Sequence, residues 1–326
     1  MKTIILIGVT VVAVSGFVLV VSGFSRTLLA QETTKPDSPA IRELLDKTKA
    51  TAGSEWSETF DFFCAMNPTR ANRPDDPVIE PAKVLDNLYV IGRTSTAVWA
   101  ITTSAGIVLI DAGYGDQLES VLLPGMKKLG LDPAQVKYVI VGHGHADHFG
   151  GAAYFQQRGA RVVLAGPDWD LIEKSPATGP VPSPKRDVVA VEGQPITVGD
   201  VAFTPVMIPG HTPGSMGLIF PVKDGRAMRI AGIFGGSILT PGRLTNDGLK
   251  QYIDSVNHWA EVTKRMKVEV EIQNHPMYDN FLTKLDRLKQ RKPGAPNPFV
   301  VGADSYQHFL GVMSGCTTVQ LMRRSG

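Results

Sequence analysis

Four potential metal ligands fall within six consecutive positions, His143-Gly144-His145-Ala146-Asp147-His148, and no other stretch constrains this chain as much. Three imidazoles and a carboxylate this close in sequence can converge on one point only if the backbone folds back tightly between them. The intervening Gly144 and Ala146 are small enough to permit that. Upstream, residues 136–141 read as a short buried strand interrupted by Lys137 and Tyr138; downstream, Phe149-Gly150-Gly151 leads into a helix-like segment over 152–158. The run is therefore expected on a loop at a strand's C-terminal end. Neutral imidazole nitrogens with a carboxylate oxygen form the borderline donor set that suits zinc, and they point to metal-dependent hydrolysis.

Seven histidines are present in all. His211 sits in Pro209-Gly210-His211-Thr212-Pro213-Gly214, where Pro and Gly fix a turn that aims one imidazole. His275 follows the strand-like residues 268–272 and precedes Pro276. His258 and His308 lie in helical segments near Trp259 and Tyr306, where nothing in their spacing makes a site, and they read as surface or core-edge residues.

At 326 residues, 43% hydrophobic and 20% charged, the chain is long and apolar enough for one large domain or two small ones. A formal net charge of +2 without a phosphate-tracking basic block argues against a nucleic-acid partner. Met1-Lys2 is followed by an uncharged stretch to Phe24 dominated by Ile, Val, Leu and Gly, and then by a polar segment. Residues 1–30 are accordingly expected to be an export signal or a retained N-terminal anchor, giving a periplasmic or secreted protein. Residues 31–84 read as an N-terminal arm and 85–326 as the main domain. In an oxidising compartment Cys64 and Cys316 could pair, which the sequence alone leaves open.

Within the main domain, short strands are expected at 88–91, 98–102, 107–110, 162–165, 188–191, 201–208, 216–221, 228–230 and 268–272. Helices are expected at 117–129, kinked at Pro124, and at 247–267 and 281–289; in the arm they are expected at 41–49 and 56–66. The mixture of hairpins and strand–helix alternation implies sheets covered by helices rather than a purely parallel doubly wound sheet.

Asp111-Ala112-Gly113 after a strand, the six-residue ligand run, His211 in its Pro-Gly turn and a last His275 together resemble the metallo-β-lactamase superfamily. The resemblance covers most of residues 85–280 and implies an α+β fold, a four-layer αβ/βα sandwich with metals at the edge between two β-sheets. It places one zinc on His143, His145 and His211 and a second on Asp147, His148 and His275, two ions per chain. Each then has three protein ligands and an open position, as catalytic zinc requires. A water activated by the ions is the implied nucleophile, with Asp147 orienting it as well as binding metal. Asp111 is the implied partner that holds the ligand loop by hydrogen bonds. Iron or manganese remain open alternatives to zinc.

Many members of the superfamily, lactonases and glyoxalase-like thioesterases among them, carry a bridging Asp after a strand in the second half. The matching segment here, Ile230-Ala231-Gly232-Ile233-Phe234-Gly235-Gly236-Ser237, has none. That lack, the opening residues 85–92 and the phrase Ala100-Ile101-Thr102-Thr103 resemble the third subclass of class B β-lactamases, with Ser237 where the missing ligand stands. The subclass often has a second Ser two positions on to help hold the substrate carboxylate. Leu239 occupies that place, leaving Thr240 and Arg243 beside Ser237 as candidate substrate contacts. The resemblance thus implies an exported hydrolase of β-lactam amides acting on a small molecule, with membrane contact only if residues 1–30 are retained. A lactonase or other ester hydrolase and a non-catalytic zinc-binding protein are the alternatives, and the oligomeric state is open.

Overall fold

The computed structural model describes residues 36–64, 76–239 and 244–325. The expected export or anchor segment, residues 1–30, lies outside the described residues, as do Thr240 and Arg243. No helix among the described residues is long and apolar enough to cross a membrane.

Helices α1 (Pro39–Ala52) and α2 (Ser57–Cys64) come first, and Ser38 caps α1 by accepting the Ile41 N–H. Strands β1 (Ala82–Leu85), β2 (Leu88–Gly92), β3 (Ala97–Thr103) and β4 (Gly106–Ile110) form an antiparallel meander. Next come α3 (Leu123–Lys128), β5 (Val136–Ile140), α4 (Ala146–Phe149), α5 (Ala152–Gln156), β6 (Arg161–Ala165), α6 (Gly166–Lys174) and β7 (Val188–Ala190). The parallel strands β5, β6 and β7 extend the meander from β4 to complete a seven-stranded sheet.

The second sheet takes the order β12-β11-β10-β9-β8 from β8 (Ile196–Val198), β9 (Val201–Met207), β10 (Met216–Asp224), β11 (Ala227–Ile233) and β12 (Val270–Ile272). Helix α7 (Asn246–Met266) precedes β12, and α8 (Phe281–Lys289) and α9 (Ala303–Ser325) follow it.

Alternation along the strands builds the layers. In β3, Trp99 and Ile101 face the second sheet, where they pack with Phe203, Phe220 and Ile233, while Val98 and Ala100 face a cluster with Met126, Phe155 and Trp169 from α3, α5 and α6. Strands buried on both faces read as nearly continuous apolar runs, as GIVLI in β4 does. The outer face of the second sheet contributes Val206, Ile219 and Phe234 to a third cluster with Tyr252 and Trp259 of α7, Phe309 and Met313 of α9, and Trp56 and Phe63 of the arm. The result is helices, sheet, sheet, helices: the four-layer αβ/βα sandwich expected from the sequence.

The helix expected over 117–129 with a kink at Pro124 is interrupted just before that residue. Leu118–Leu122 winds as a wider π turn, in which the Leu123 N–H reaches the Leu118 carbonyl, before α3 begins. Pro124 lacks an N–H and its ring crowds the carbonyl four residues back, and the widened turn accommodates it. Strand β1 begins at Ala82, ahead of the expected domain start, and α1 and α2 pack directly on α9. Cys64 and Cys316 are joined by a disulfide with Cα atoms 4.5 Å apart, tying α2 to α9.

Candidate metal centre

Every segment that carries a ligand or its support leaves the C-terminal end of a strand: Asp111 follows β4, His143–His148 follows β5, His211 follows β9, Gly235 follows β11 and His275 follows β12. Parallel strand ends collect these loops at one edge of the sandwich, where a rigid scaffold positions them. Beneath His275, β12 is fixed by a buried ion pair between Lys284 and Glu271, with Asp279 at 3.2 Å from the same ammonium.

His143 Nε2, His145 Nδ1 and His211 Nε2 stand 3.1 Å from one another in every pairing. Three nitrogens at that spacing share a point at Zn–N bonding distance, about 2.0–2.1 Å from each. The outer nitrogens fix which lone pairs point inward. His143 Nδ1 donates to the Gly235 carbonyl and His211 Nδ1 to the Ile238 carbonyl, each at 2.6 Å. A carbonyl only accepts, so these Nδ1 atoms carry the proton and their Nε2 atoms are bare.

The second group is built the same way. His148 Nε2 and His275 Nε2 are 3.0 Å apart, and Asp147 Oδ2 lies 3.2 Å from the first and 3.8 Å from the second. His275 Nδ1 donates to the Ser95 carbonyl at 2.6 Å, and His148 Nδ1 donates to Asp111 Oδ2 at 2.7 Å. Thr96 Oγ1 donates to Asp147 Oδ2 at 3.3 Å and helps hold that carboxylate. Donor atoms that converge across about 3 Å can share one cation: in the first trio bare lone pairs face one another, and in the second a proton on His148 holds the place a metal would take. Both trios therefore fit a divalent metal, and the donor chemistry is that of zinc.

The titration behaviour follows from the same crowding. Burial first, then the charges of the neighbouring imidazoles, pushes His143 well below the usual imidazole range, His211 down to about 3 and His275 down to about 4. Burial opposes charge on His148 as well, but Asp147 and Asp111 outweigh it and raise this group to about 10. Metal must displace that proton, so uptake at the second trio releases one.

The depressed groups make the metal-free protein acid-sensitive. Between their unfolded value of 6.5 and their folded values the unfolded chain binds more protons, so stability falls as pH drops. His148 and the buried Glu271 have the opposite sign: the His148 contribution is complete below 6.5 and is lost only as pH rises through about 10. Glu271, pushed up to about 8 by burial, gains stability as pH falls toward 4.5 but is one group against three. The chelated protein is thus expected to show a Tm that declines steadily from pH 6.5 to 4.5, above most carboxylate titration. Thermal melts across that window check this; a flat or rising Tm contradicts it.

Among the candidate substrate contacts, Ser237 is completely buried in the turn that follows β11. Its carbonyl accepts the Tyr252 hydroxyl at 2.7 Å, which pins the Gly235-Gly236-Ser237 turn against α7. The expected partner of the ligand loop, Asp111, is completely buried with φ +63°. Its Oδ1 accepts the Gly142 N–H at 2.8 Å, and its Oδ2 accepts His148 Nδ1 and, at 3.2 Å, Asn274 Nδ2.

Asn274 and Asp168 had no sequence signal. Asn274 Nδ2 also donates to the Gly235 carbonyl at 2.8 Å, so one amide joins the supports of His148 and His143. Its position beside His275 was the only available hint. Tyr114 keeps part of its ring in solvent, and the partial burial of the rest, then the Asp147 charge, raises its phenol above the ordinary value.

Residues 91–224 match a family model described as the metallo-β-lactamase superfamily. The hydroxyacylglutathione hydrolase of Xanthomonas axonopodis pv. citri is 28% identical over 169 residues, 51% of this chain and 56% of that protein, so the chain spans little more than half of its length. A subclass B3 metallo-β-lactamase of Bradyrhizobium japonicum superposes with a TM-score of 0.61 at 28% identity, covering 71% of this chain and 89% of that one. A mutant metallo-β-lactamase from Legionella gormanii superposes with a TM-score of 0.66 at 22% identity over 78% of this chain and 100% of that one, a likeness of fold.

Proposed function

We propose that this chain, which carries a domain of the metallo-β-lactamase superfamily of hydrolases, is an exported dinuclear zinc enzyme that hydrolyses the amide of β-lactams. The observation that carries the reading is the segment after β11: Phe234-Gly235-Gly236-Ser237 anchors His143 through the Gly235 carbonyl and contains no carboxylate to bridge the two trios. The ligand sets are then three His, and Asp with two His, as in the subclass the sequence resembles. The disulfide supports export, because such bonds persist in oxidising compartments.

Two zinc ions, when bound, supply a nucleophilic water at neutral pH and polarise the scissile carbonyl. The protein's part is positional. Carbonyls of Gly235, Ile238 and Ser95 and the Asp111 carboxylate lock four imidazoles in one tautomer, and Thr96 holds the Asp147 oxygen that faces His148 and His275.

The relationship to hydroxyacylglutathione hydrolases favours a second reading, thioester hydrolysis at the same centre. Turnover of a penicillin, a carbapenem, a hydroxyacylglutathione thioester and an acyl-homoserine lactone by zinc-loaded full chain separates the two. We expect β-lactam turnover that chelator abolishes and zinc restores. Turnover confined to the thioester or the lactone overturns the β-lactamase reading, and two bound ions without turnover of any of the four overturn hydrolysis.

A further inference from the structure

Asp168, in the first turn of α6, is completely buried, and the bonds its carboxylate makes go to the two loops that carry the first trio. Oδ2 accepts the Gly144 N–H at 2.7 Å and the Thr212 hydroxyl at 2.6 Å, and Oδ1 accepts the Gly214 N–H at 2.8 Å. Gly144 lies between His143 and His145; Thr212 follows His211 directly. Ser215 Oγ accepts the Thr212 N–H at 3.0 Å and lies 2.7 Å from Thr212 Oγ1, so the hydroxyl is held in place for Asp168.

Close approach explains both glycines. A Cβ on Gly144 would stand 2.9 Å from the Asp168 carbonyl oxygen, and one on Gly214 would stand 2.7 Å from the Asp168 nitrogen. A carboxylate in a helix's first turn is favoured by the helix's own N–H groups, which by itself predicts only a cap. Here the partners lie 24, 44 and 46 residues away along the chain. The second trio is supported by other groups: Asp111 for His148, Ser95 for His275 and Thr96 for Asp147.

We infer that Asp168 is a positioning residue for the first trio alone: by clamping the His143–His145 loop to the His211 loop, it sets the spacing of the three nitrogens and with it that site's metal affinity. The inference rests on reading the trios as metal sites. An amide in place of the carboxylate keeps one acceptor and turns a donor toward an N–H or hydroxyl that already donates, so Asp168→Asn breaks the clamp with little change of volume.

Competition titration of full-length wild type, Asp168→Asn, Thr212→Val and Thr212→Ser with zinc against a chromophoric chelator tests it. Uptake of two ions by wild type is expected. Asp168→Asn should weaken one site by about 10–100-fold and leave the other unchanged. Its cobalt(II) absorption spectrum at one equivalent should match that of His211→Ala, in which the first trio is broken directly. Thr212→Val should weaken the same site less, and Thr212→Ser should restore it. Wild-type affinities in Asp168→Asn, or equal weakening of both sites, overturn the inference; if that variant does not fold, the Val and Ser pair at Thr212 decides alone. Wild type that takes up no ion overturns the metal reading itself, a failure the same titration reports separately.

Discussion

Replacing Asp111 with Ala should weaken zinc at the second trio by about 10–100-fold and lower stability by several kcal/mol, about 1–3 for each buried donor left without an acceptor. Two donors lose their partner at once, the Gly142 N–H and His148 Nδ1, and Asn274 Nδ2 keeps only its bond to the Gly235 carbonyl. Without the carboxylate the His148 ring is free to turn or to change tautomer, and the inward-facing Nε2 is no longer enforced. Asp111 also occupies a left-handed backbone conformation that Asp and Asn tolerate better than Ala, which adds about 1 kcal/mol of strain to the Ala variant. Asp111→Asn is expected to fall between Ala and wild type, because it keeps the backbone preference and one acceptor. Zinc competition titrations and thermal melts of both variants check the order. Wild-type affinity in Asp111→Ala would remove this carboxylate from the support of the centre.

How much of this was readable from the chain divides along a physical line. Local patterns were legible: β5 was expected over 136–141 and runs Val136–Ile140, α8 has the bounds expected for it, and the six candidate ligands, which the fold brings together, stand in two short motifs and one Pro-flanked His. Long-range convergence was not. Asp168 acts on loops 24 to 46 residues distant, and Asn274 acts on an Asp 163 residues away. Neither has a spacing that betrays it, because the partners meet only after the strands have stacked.

Helix α9, of which only the segment around Tyr306 and His308 was read as helical, shows a different obstacle. Its buried residues Tyr306, Phe309, Leu310, Val312, Met313, Cys316 and Val319 ring much of its circumference, since α7 packs on it from one side and α1 and α2 from another. A helix covered on several sides lacks the single apolar stripe by which helices are recognised. Helix α7, which keeps its outer face in water, was readable to within a residue at each end. The burial of Ser237 was illegible for the converse reason: the Gly-Gly-Ser sequence marks a turn, but only packing encloses it.

Removing the Cys64–Cys316 disulfide should have the second large effect, on stability rather than on metal binding. The bond closes a loop spanning 252 residues, nearly the whole sandwich. In the chain-entropy account a closure of this length restricts the unfolded state by about 5 kcal/mol, the upper end of what disulfides deliver. Other bonds hold the same ends in the folded state: Gln320 and Arg323 donate to the Cys64 carbonyl at 3.1 and 3.0 Å, and Arg323 pairs with Asp37 at 2.7 Å. Native geometry therefore survives the loss, and the cost appears as easier unfolding.

The Cys64→Ser, Cys316→Ser double variant is expected to melt about 10 °C below the oxidised wild type and to be insensitive to reductant, whereas reduced wild type should melt with the variant. Activity at 25 °C should persist in the variant, because none of the six candidate ligands lies on α1, α2 or α9. Coincident melts of oxidised and reduced wild type would show that helix packing alone closes this layer. The opposite result ties full stability to an oxidising compartment, because in a reducing one the same fold would operate without the closure.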